Sequence, residues 1–467
     1  MKTKNIIILG ALAVASLTTV TSCNDFEDIN KDPNKADLEQ VEPEWFLNGS
    51  IGDAQMNPEI AERIFILYWK RAARFDRGSG FAIGTDNDDY LNSELSDNFG
   101  PIPALSAFTG VPGEYNKVED IYTYILKELK EAVASLDESI DMSAMSKYDP
   151  FFGGDIKKWK KYGNSLRMRL AMRLTAVNPS LAQAEFEDAA KGEFIASMDD
   201  IAQVAEKDGW DPYTGVMTRT WNNQAMSTTF NNLVVGLGGV EFPVPDELKS
   251  NLKDPYTYLG QNVSLHFPTT TNDPCAGYFF DGIPQYIDPR APQLYSIPGY
   301  DDGVVYPSYI GAASEVKDEI TLIAGDYTDV LTGQKVSAPE VKLPMKYSWT
   351  TVVAGNWNDK AGLVGDYTSY NYNFPSLADK FRHSTNKRVW FGPWESYFLL
   401  AEAAVYGWNV PGSAKDNYEK GIAASFEYNG VSDKLLEYLQ SKAYNRVGTS
   451  VAFDHTVEAK AYTINYY

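Results

Sequence analysis

Residues 156–174 read IKKWKKYGNSLRMRLAMRL, and this stretch decides the fold. Its apolar side chains recur every three or four positions, at Trp159, Tyr162, Leu166, Leu170 and Leu174. Side chains with that spacing lie on one face of an α-helix. The sequence therefore predicts an amphipathic helix whose apolar face packs against a partner helix.

The same stretch carries the first half of a repeat signature. Tetratricopeptide repeats place W-x₂-L-G in one helix and A-x₃-F-x₂-A in the next. Residues 159–163 match the first half and residues 182–189 match the second. The pattern recurs with small substitutions at residues 397–401 and 414–421. Two imperfect matches in the right order predict a helical-repeat scaffold, and two ordinary helical hairpins are the alternative.

Two further parts of the chain have helical periodicity. In residues 118–136 the apolar positions predicted to share one face are Val118, Ile121, Tyr122, Ile125, Leu129, Ala132, Val133 and Leu136. Residues 394–405 and 414–428 form a second helical pair, and Gly407, Pro411 and Gly412 break the chain between them.

The middle of the chain differs in composition from both ends. Residues 206–390 are rich in Gly, Pro, Asn, Thr, Tyr and Trp, and short strand-like runs such as residues 231–236 lie among turns. We therefore predict a mainly α fold in which residues 45–467 form one domain. Its helical blocks span about 45–205 and 391–467, and a long loop-rich insertion spans about 206–390.

The N-terminus has the layout of a secretory signal peptide, which we assign to residues 1–22. Lys2 and Lys4 precede an apolar run at residues 6–17, which is too short to span a bilayer because spanning needs about 20 residues. Residues 20–23 read VTSC and resemble a bacterial lipobox, in which the cysteine is acylated with palmitate-type chains. We therefore expect a lipid on Cys23, although an ordinary signal peptide with an incidental cysteine is the alternative.

Composition restricts what the mature protein does. Residues 23–44 form an acidic tether with two prolines, and loss of residues 1–22 removes two lysines, so the net charge changes from −22 to −24. Such an acidic surface repels nucleic acid. After lipidation Cys275 is the single remaining cysteine, so an internal disulfide has no pair. The chain is expected to be a packed body attached to a membrane by lipid.

The sequence lacks the usual motifs of catalysis. Its three histidines are far apart, and it contains neither HExxH nor a paired-cysteine motif. Residues 86–89 read DNDD, but the loop lacks the glycine that an EF-hand needs at its sixth position. We predict no enzyme activity, no metal and no cofactor. A glycoside hydrolase is the enzymatic alternative, because it needs only two well-placed carboxylates.

Five segments together resemble the SusD/RagB family of outer-membrane nutrient-binding lipoproteins. They are residues 32–34 (DPN), 99–103 (FGPIP), 153–173 (GGDIKKWKKYGNSLRMRLAMR), 288–290 (DPR) and 395–403 (ESYFLLAEA). The resemblance runs from Cys23 to about Tyr428. The acidic residues after Cys23 also resemble the surface-export signals of Bacteroidota-type lipoproteins.

The resemblance implies a SusD-like body with tetratricopeptide-like units, facing the cell exterior on a SusC-like TonB-dependent outer-membrane barrel. It implies capture of an oligosaccharide for import through that barrel, without catalysis. Some members of the family capture peptides, which is the first alternative. A structural companion of the barrel with no ligand of its own is the second.

Candidate binding residues follow from the chemistry of sugars. Sugar rings present apolar faces and polar edges, so flat aromatic side chains and nearby amides suit them. The insertion and the Gly-rich loop of residues 78–84 supply such candidates: Phe81, Trp210, Tyr213, Trp221, Asn222, Tyr278, Tyr286, Trp357, Tyr370 and Tyr372. The alternative for each aromatic residue is a place in the core.

Overall fold

Helices form the two ends of the described part of the chain. The computed structural model describes residues 76–77, 117–205, 225–266, 278–300, 318–328, 333–350, 375, 377–381 and 386–453. The α-helices are α1 (Val118–Ser135), α2 (Ile156–Met172), α3 (Pro179–Ala190), α4 (Thr228–Val234), α5 (Ala291–Leu294), α6 (Pro393–Val405), α7 (Ala414–Tyr428) and α8 (Leu435–Gln440). The predicted signal peptide and tether lie outside the described residues.

Short strands connect these helices and pair in twos. They are β1 (Asp76–Arg77), β2 (Ala202–Ala205), β3 (Ala225–Met226), β4 (Leu252–Lys253), β5 (Gln261–Asn262), β6 (Tyr278–Phe279), β7 (Ile283–Pro284), β8 (Glu319–Leu322), β9 (Gly325–Thr328), β10 (Lys335–Ala338), β11 (Val341–Pro344) and β12 (Lys387–Phe391). The pairs are β1–β3, β2–β12, β4–β7, β5–β6, β8–β11 and β9–β10. All are antiparallel except β4–β7, and β9–β10 is a hairpin nested inside β8–β11.

The periodicity predictions for the helices are confirmed. The helices α1, α2, α6 and α7 occupy the four predicted stretches. Local signals set where they begin: the Asp155 carboxylate caps α2 by accepting from Lys158 N, and Ser413 caps α7 through Asp416 N. Among the described residues, no helix combines the length and the apolar character that crossing a membrane requires.

The glycine pair before α2 belongs to a tight turn. Gly153 and Gly154 have φ angles of 64° and 86°, a conformation that favours glycine. The Asp149 carboxylate closes the turn by accepting hydrogen bonds from Gly154 N and from Trp159 Nε1, both at 2.8 Å. This loop therefore fixes the orientation of the first turn of α2.

Phe186 lies at the centre of the core that α2 and α3 share. Its side chain is 0% exposed and packs with Met168 and Ala182. The same core contains Leu400 and Ala403 of α6, so the two helical hairpins have one continuous interior. The mainly α, tetratricopeptide-like fold class is confirmed.

Small residues allow the helices to approach closely, as the repeat signature requires. A Cβ placed on Gly421 of α7 would lie 2.8 Å from Phe398 Cε1 of α6. A Cβ placed on Gly163 of α2 would lie 2.4 Å from Val133 Cγ2 of α1. Each glycine therefore makes room for a side chain of the neighbouring helix.

The repeat pattern predicts that Trp159 lies in the same core as Phe186. In the structure Trp159 lies outside that core. Its ring is partly exposed and lies on the other side of α2, 5.7 Å from the Phe151 ring and 6.0 Å from the Tyr162 ring. The hydrogen bond from its indole to Asp149 holds it there. The first aromatic position of the repeat thus fills a separate aromatic cluster.

The predicted apolar face of α1 is confirmed in part. Five of its eight positions are partly buried: Ile121, Tyr122, Leu129, Val133 and Leu136. Val118, Ile125 and Ala132 are exposed, whereas Leu126, which was not assigned to the face, is 1% exposed. The buried stripe of α1 therefore includes Leu126 and is narrower than its apolar pattern.

Residues 231–236 are not a strand. Ser227 Oγ accepts from Phe230 N and starts α4, which continues to Val234. Val235 then makes an isolated antiparallel bridge with Ile287. The capping serine outweighs the strand preference of the two valines.

An ion pair joins the two hairpins. Arg169 Nε and Nη2 of α2 donate to the two carboxylate oxygens of Glu395 in α6, at 2.5 and 2.6 Å. Arg169 Nη2 also donates to Trp390 O at 2.8 Å. This fork-to-fork geometry links the two helices and restricts the orientation of the two side chains.

We expect Phe186→Ala to lower the free energy of unfolding by about 3–5 kcal/mol, because it empties an aromatic core site. Leu436→Ala is the control, since Leu436 is 67% exposed and its loss should change stability by about 0.5 kcal/mol or less. Urea unfolding followed by circular dichroism measures both. Equal effects of the two substitutions would contradict the assigned core.

Candidate ligand-binding site

A small cleft lies where α4, β6 and the C-terminal segment meet. Its volume is about 10 Å³, which is room for about one water-sized group. Pockets for drug-sized ligands are usually about 300–1,000 Å³, so the cleft in this conformation does not admit a sugar ring. Its lining residues are Thr228, Asn231, Asn232, Leu259, Tyr278, Phe280, Thr350 and Arg446.

Each side of the cleft comes from a different part of the fold. Thr228, Asn231 and Asn232 occupy α4 at the i, i+3 and i+4 spacing that places side chains on one helix face. Phe280 follows β6, and its backbone N–H donates to Thr350 Oγ1 at 3.1 Å, which joins the second and third sides. The cleft is thus built from segments that are far apart in sequence.

Asn445 positions the C-terminal segment that forms the fourth side of the cleft. Its Nδ2 donates to Leu233 O in α4 at 2.9 Å. Its Oδ1 accepts from the backbone N–H groups of Val447 and Thr449, at 3.1 and 2.8 Å. The turn held by these bonds places the intervening Arg446 beside α4.

Asn231 is fixed in place and retains spare donors. Its side chain is 4% exposed, and its Oδ1 accepts from Trp349 Nε1 at 2.9 Å. An indole nitrogen can only donate, so this bond orients the amide. Within the described part of the chain, its Nδ2 donates no hydrogen bond.

Arg446 lies over an aromatic ring at the same cleft. Arg446 is 4% exposed, and its Cζ is 5.4 Å from the Phe280 ring centroid. Its Nη2 approaches Leu259 O at 3.5 Å, which is a weak hydrogen bond. The cleft therefore combines a guanidinium, amide donors and aromatic rings.

A buried network holds α4 and its surroundings against the C-terminal helices. Arg290 Nε and Nη2 donate to the two oxygens of Asp288 at 2.9 and 2.6 Å, and Arg290 Nη1 donates to Ser425 Oγ of α7. Tyr438 of α8 donates its hydroxyl to Asp288 Oδ2 at 2.6 Å. Asp288 N also donates to Val234 O at the end of α4. Burial, reinforced by Asp288, raises the pKa of Tyr438 well above its usual value.

One predicted site residue lines the cleft. Tyr278 is part of β6 and is partly exposed. Tyr286 lies elsewhere, stacked on Tyr256 with 6.0 Å between ring centroids. Burial raises the pKa of Tyr256 to about 12, and its hydroxyl donates to Gly236 O at 3.0 Å.

The other candidates fall outside the described residues, so their roles stay predictions. They are Cys23, Phe81, Trp210, Tyr213, Trp221, Asn222, Trp357, Tyr370 and Tyr372.

Sequence reasoning missed Asn231, Phe280, Thr350 and Arg446. The asparagine pair at 231–232 inside an apolar segment was the available signal, since buried amides need hydrogen-bond partners. Arg446 carried no local signal, because its surroundings depend on long-range contacts. Among the residues described, no group of three or more His, Cys, Asp or Glu side chains could hold a metal ion.

Two family models match the sequence on either side of its middle. Residues 79–239 match a family described as starch-binding and associating with the outer membrane. Residues 351–466 match the SusD and RagB outer-membrane lipoproteins. Together the two matches cover more than half of the chain. The chain belongs to the SusD/RagB family. The second match extends past Tyr428, where the recognised motifs end.

Solved structures agree with this fold. A SusD homologue from Parabacteroides distasonis is 23% identical, with a TM-score of 0.53. The match covers 89% of this chain and 66% of the homologue. A chitin-binding protein is 17% identical, with a TM-score of 0.51. The match covers 86% of this chain and 80% of the chitin-binding protein. A SusD homologue from Bacteroides vulgatus is 20% identical with a TM-score of 0.46, covering 75% and 52%. The chain therefore spans between half and two thirds of the two SusD homologues. Curated protein sequences gave no match.

The family's motif segments contain the residues that join the fold. Arg169 and Glu395, which pair between the hairpins, lie in two of these segments. Asp288 and Arg290, which brace α4 against α7 and α8, form a third. These segments thus support the SusD-like scaffold rather than line the cleft.

We expect Tyr438→Phe to lower the free energy of unfolding by about 1.5–3 kcal/mol, because it removes a hydrogen bond to a buried carboxylate. Tyr428→Phe is the matched control, since its residue is 36% exposed, and it should change stability by about 0.5 kcal/mol or less. Chemical unfolding at pH 7 compares them.

The same substitution should change the alkaline limb of the stability curve. The folded pKa of Tyr438 lies above its unfolded value of about 10, so the unfolded chain releases this proton first. Stability is therefore expected to fall as pH rises above about 10, and less so in Tyr438→Phe. Identical curves for the wild type and the variant would contradict this network.

Proposed function

We propose that this protein is a cell-surface lipoprotein that binds an oligosaccharide and passes it to a SusC-like TonB-dependent barrel. A lipid on Cys23 would hold it on the outer membrane, facing the exterior. The observation that carries the binding role is the match of residues 79–239 to a family described as starch-binding and associating with the outer membrane. The barrel partner and the lipid rest on family membership and on the sequence of the N-terminus.

Binding without hydrolysis is favoured by the lining of the cleft. Glycoside hydrolases need a pair of carboxylates about 5–10 Å apart at the scissile bond. Of the described residues that line the cleft, none is an aspartate or glutamate. The described lining of the cleft therefore offers no acid–base pair.

Two other functions have less support. Peptide capture occurs within the family, and an extended peptide is recognised mainly through strand addition or apolar side-chain pockets. The cleft instead offers polar groups suited to hydroxyls. A structural companion of the barrel would need no cleft of this kind.

Affinity is expected to be modest. A small sugar buries little apolar area, and each hydroxyl that enters the cleft loses hydrogen bonds to water. We therefore expect a Kd between about 1 µM and 1 mM for the preferred oligosaccharide. Modest affinity also suits delivery, because a ligand held tightly would not pass to the barrel.

Isothermal titration of the soluble body, residues 24–467, which lacks the lipidated Cys23, tests this function. The panel includes neutral oligosaccharides, acidic oligosaccharides and short peptides. Chitin fragments belong in it because a structurally similar protein is a chitin-binding protein. Chromatography of each glycan after incubation provides the control for turnover.

Saturable binding of at least one glycan without new products supports the proposal. Binding of peptides alone would favour the peptide-capturing alternative. Release of shorter sugars would favour the hydrolase.

A further inference from the structure

Arg446 is a buried guanidinium that has almost no hydrogen-bond partners. The residue is 4% exposed, and its Nε is buried without a partner. Its Nη2 makes one long contact, with Leu259 O at 3.5 Å. Arginine side chains keep their proton in proteins, so this group carries a permanent positive charge. Among the residues that the structure describes, no carboxylate pairs with it.

Three other arginines of low exposure are paired with acids. Arg167 donates to Glu185 at 2.8 Å and to Asp188 at 2.7 Å. The forks of Arg169 and Arg290 each bind one carboxylate. A buried charge is unfavourable unless it is paired, so a negative partner is expected for Arg446 as well.

The cleft beside Arg446 limits the size of that partner. Its volume is about 10 Å³, which is room for about one water-sized group. A carboxylate or a phosphate on a larger molecule exceeds this space. A monatomic anion such as chloride is close to water in size, so the cleft suits a single halide ion.

The lining of the cleft suits an anion better than a water molecule or a cation. Of the described lining residues, none is an aspartate or glutamate, so no carboxylate at the cleft repels an anion. Asn231 Nδ2 supplies a second donor, since within the described residues it donates no hydrogen bond. Water would accept from these donors but would leave the charge of Arg446 uncompensated, and that charge repels a cation.

We propose that the cleft binds a halide ion such as chloride between Arg446 and Asn231. This site goes beyond the proposed function, because the ion is held whether or not the chain binds a glycan. Arg446 belongs to the C-terminal turn that Asn445 docks on Leu233 O, and Asn231 lies in the same helix as Leu233. The ion therefore joins the C-terminal segment to α4 and stabilises the folded chain.

The net charge of the protein acts against this ion only at long range. A mature chain with a charge of −24 repels anions, but charges separated by more than about 8 Å are screened at physiological salt. A buried pair is screened much less. Contact with Arg446 therefore decides the affinity for the ion.

Thermal unfolding of the soluble body, residues 24–467, in matched salts tests the site. Sodium chloride, sodium bromide and sodium acetate are compared at one pH and about 0.15 M, so that screening is the same. An ion that binds only the folded chain raises the unfolding temperature. We expect both halides to raise it by about 2 °C or more relative to acetate, which has the same charge but is too large for the cleft.

Variants locate the effect. Arg446→Met should remove the difference between the halides and acetate. Arg446→Lys retains a charge with fewer donors, so it should keep part of the difference. Arg173→Met is the matched control, because Arg173 is exposed at the end of α2, and it should keep the full difference. Salts also act on hydrophobic burial in general, and comparison with the control cancels this effect.

Crystals of the wild-type protein soaked in sodium bromide locate the ion without any variant. The anomalous scattering of bromine should give a peak in the cleft, in contact with the Arg446 guanidinium and Asn231 Nδ2. A water molecule there gives no such peak, so its presence in place of bromide would overturn the proposal.

The remaining outcomes are equally decisive. Equal unfolding temperatures of the wild type in all three salts would overturn the proposal, and so would a halide effect that survives Arg446→Met. A bromide peak without halide-dependent stability would mark an adventitious ion only, which also overturns it. Glycan binding is decided separately, by titration of the oligosaccharide panel.

Discussion

A partly buried guanidinium is stabilised by a carboxylate partner, and the pair of Arg169 with Glu395 meets this constraint between the two helical hairpins. These residues are separated by 226 positions, yet their side chains meet in a two-pronged ion pair. Removing either partner would leave the other partly buried and without its charge partner. The pair therefore links the two helical hairpins, which also share the core around Phe186.

The same constraint recurs where the middle of the chain meets its C-terminus. Asp288 pairs with Arg290 and accepts from Tyr438, so α4 is braced against the last helices. Asn445 completes this junction by docking on α4. The cleft lies at that junction, and its Arg446 is a buried arginine for which the described part of the chain supplies no acid.

Local patterns were readable from the sequence, whereas contacts between distant segments were not. Helices α2, α6 and α7 follow from periodicity, caps and glycines, which are properties of neighbouring residues. The burial of Leu126 in α1 and the helix at α4 were missed, because tertiary packing decided the first and a serine cap the second. Tyr278 was anticipated at the cleft from its chemistry, but the lack of a partner for Arg446 is a property of the folded chain alone.

Chemical unfolding of Glu395→Gln tests the central claim most directly. The account predicts that this variant loses about 1–3 kcal/mol of unfolding free energy, because it removes one half of a charge-assisted pair whose side chains are partly buried. The exposed Leu436→Ala is the reference, with an expected loss of about 0.5 kcal/mol or less. A loss for Glu395→Gln no larger than this reference would contradict the account.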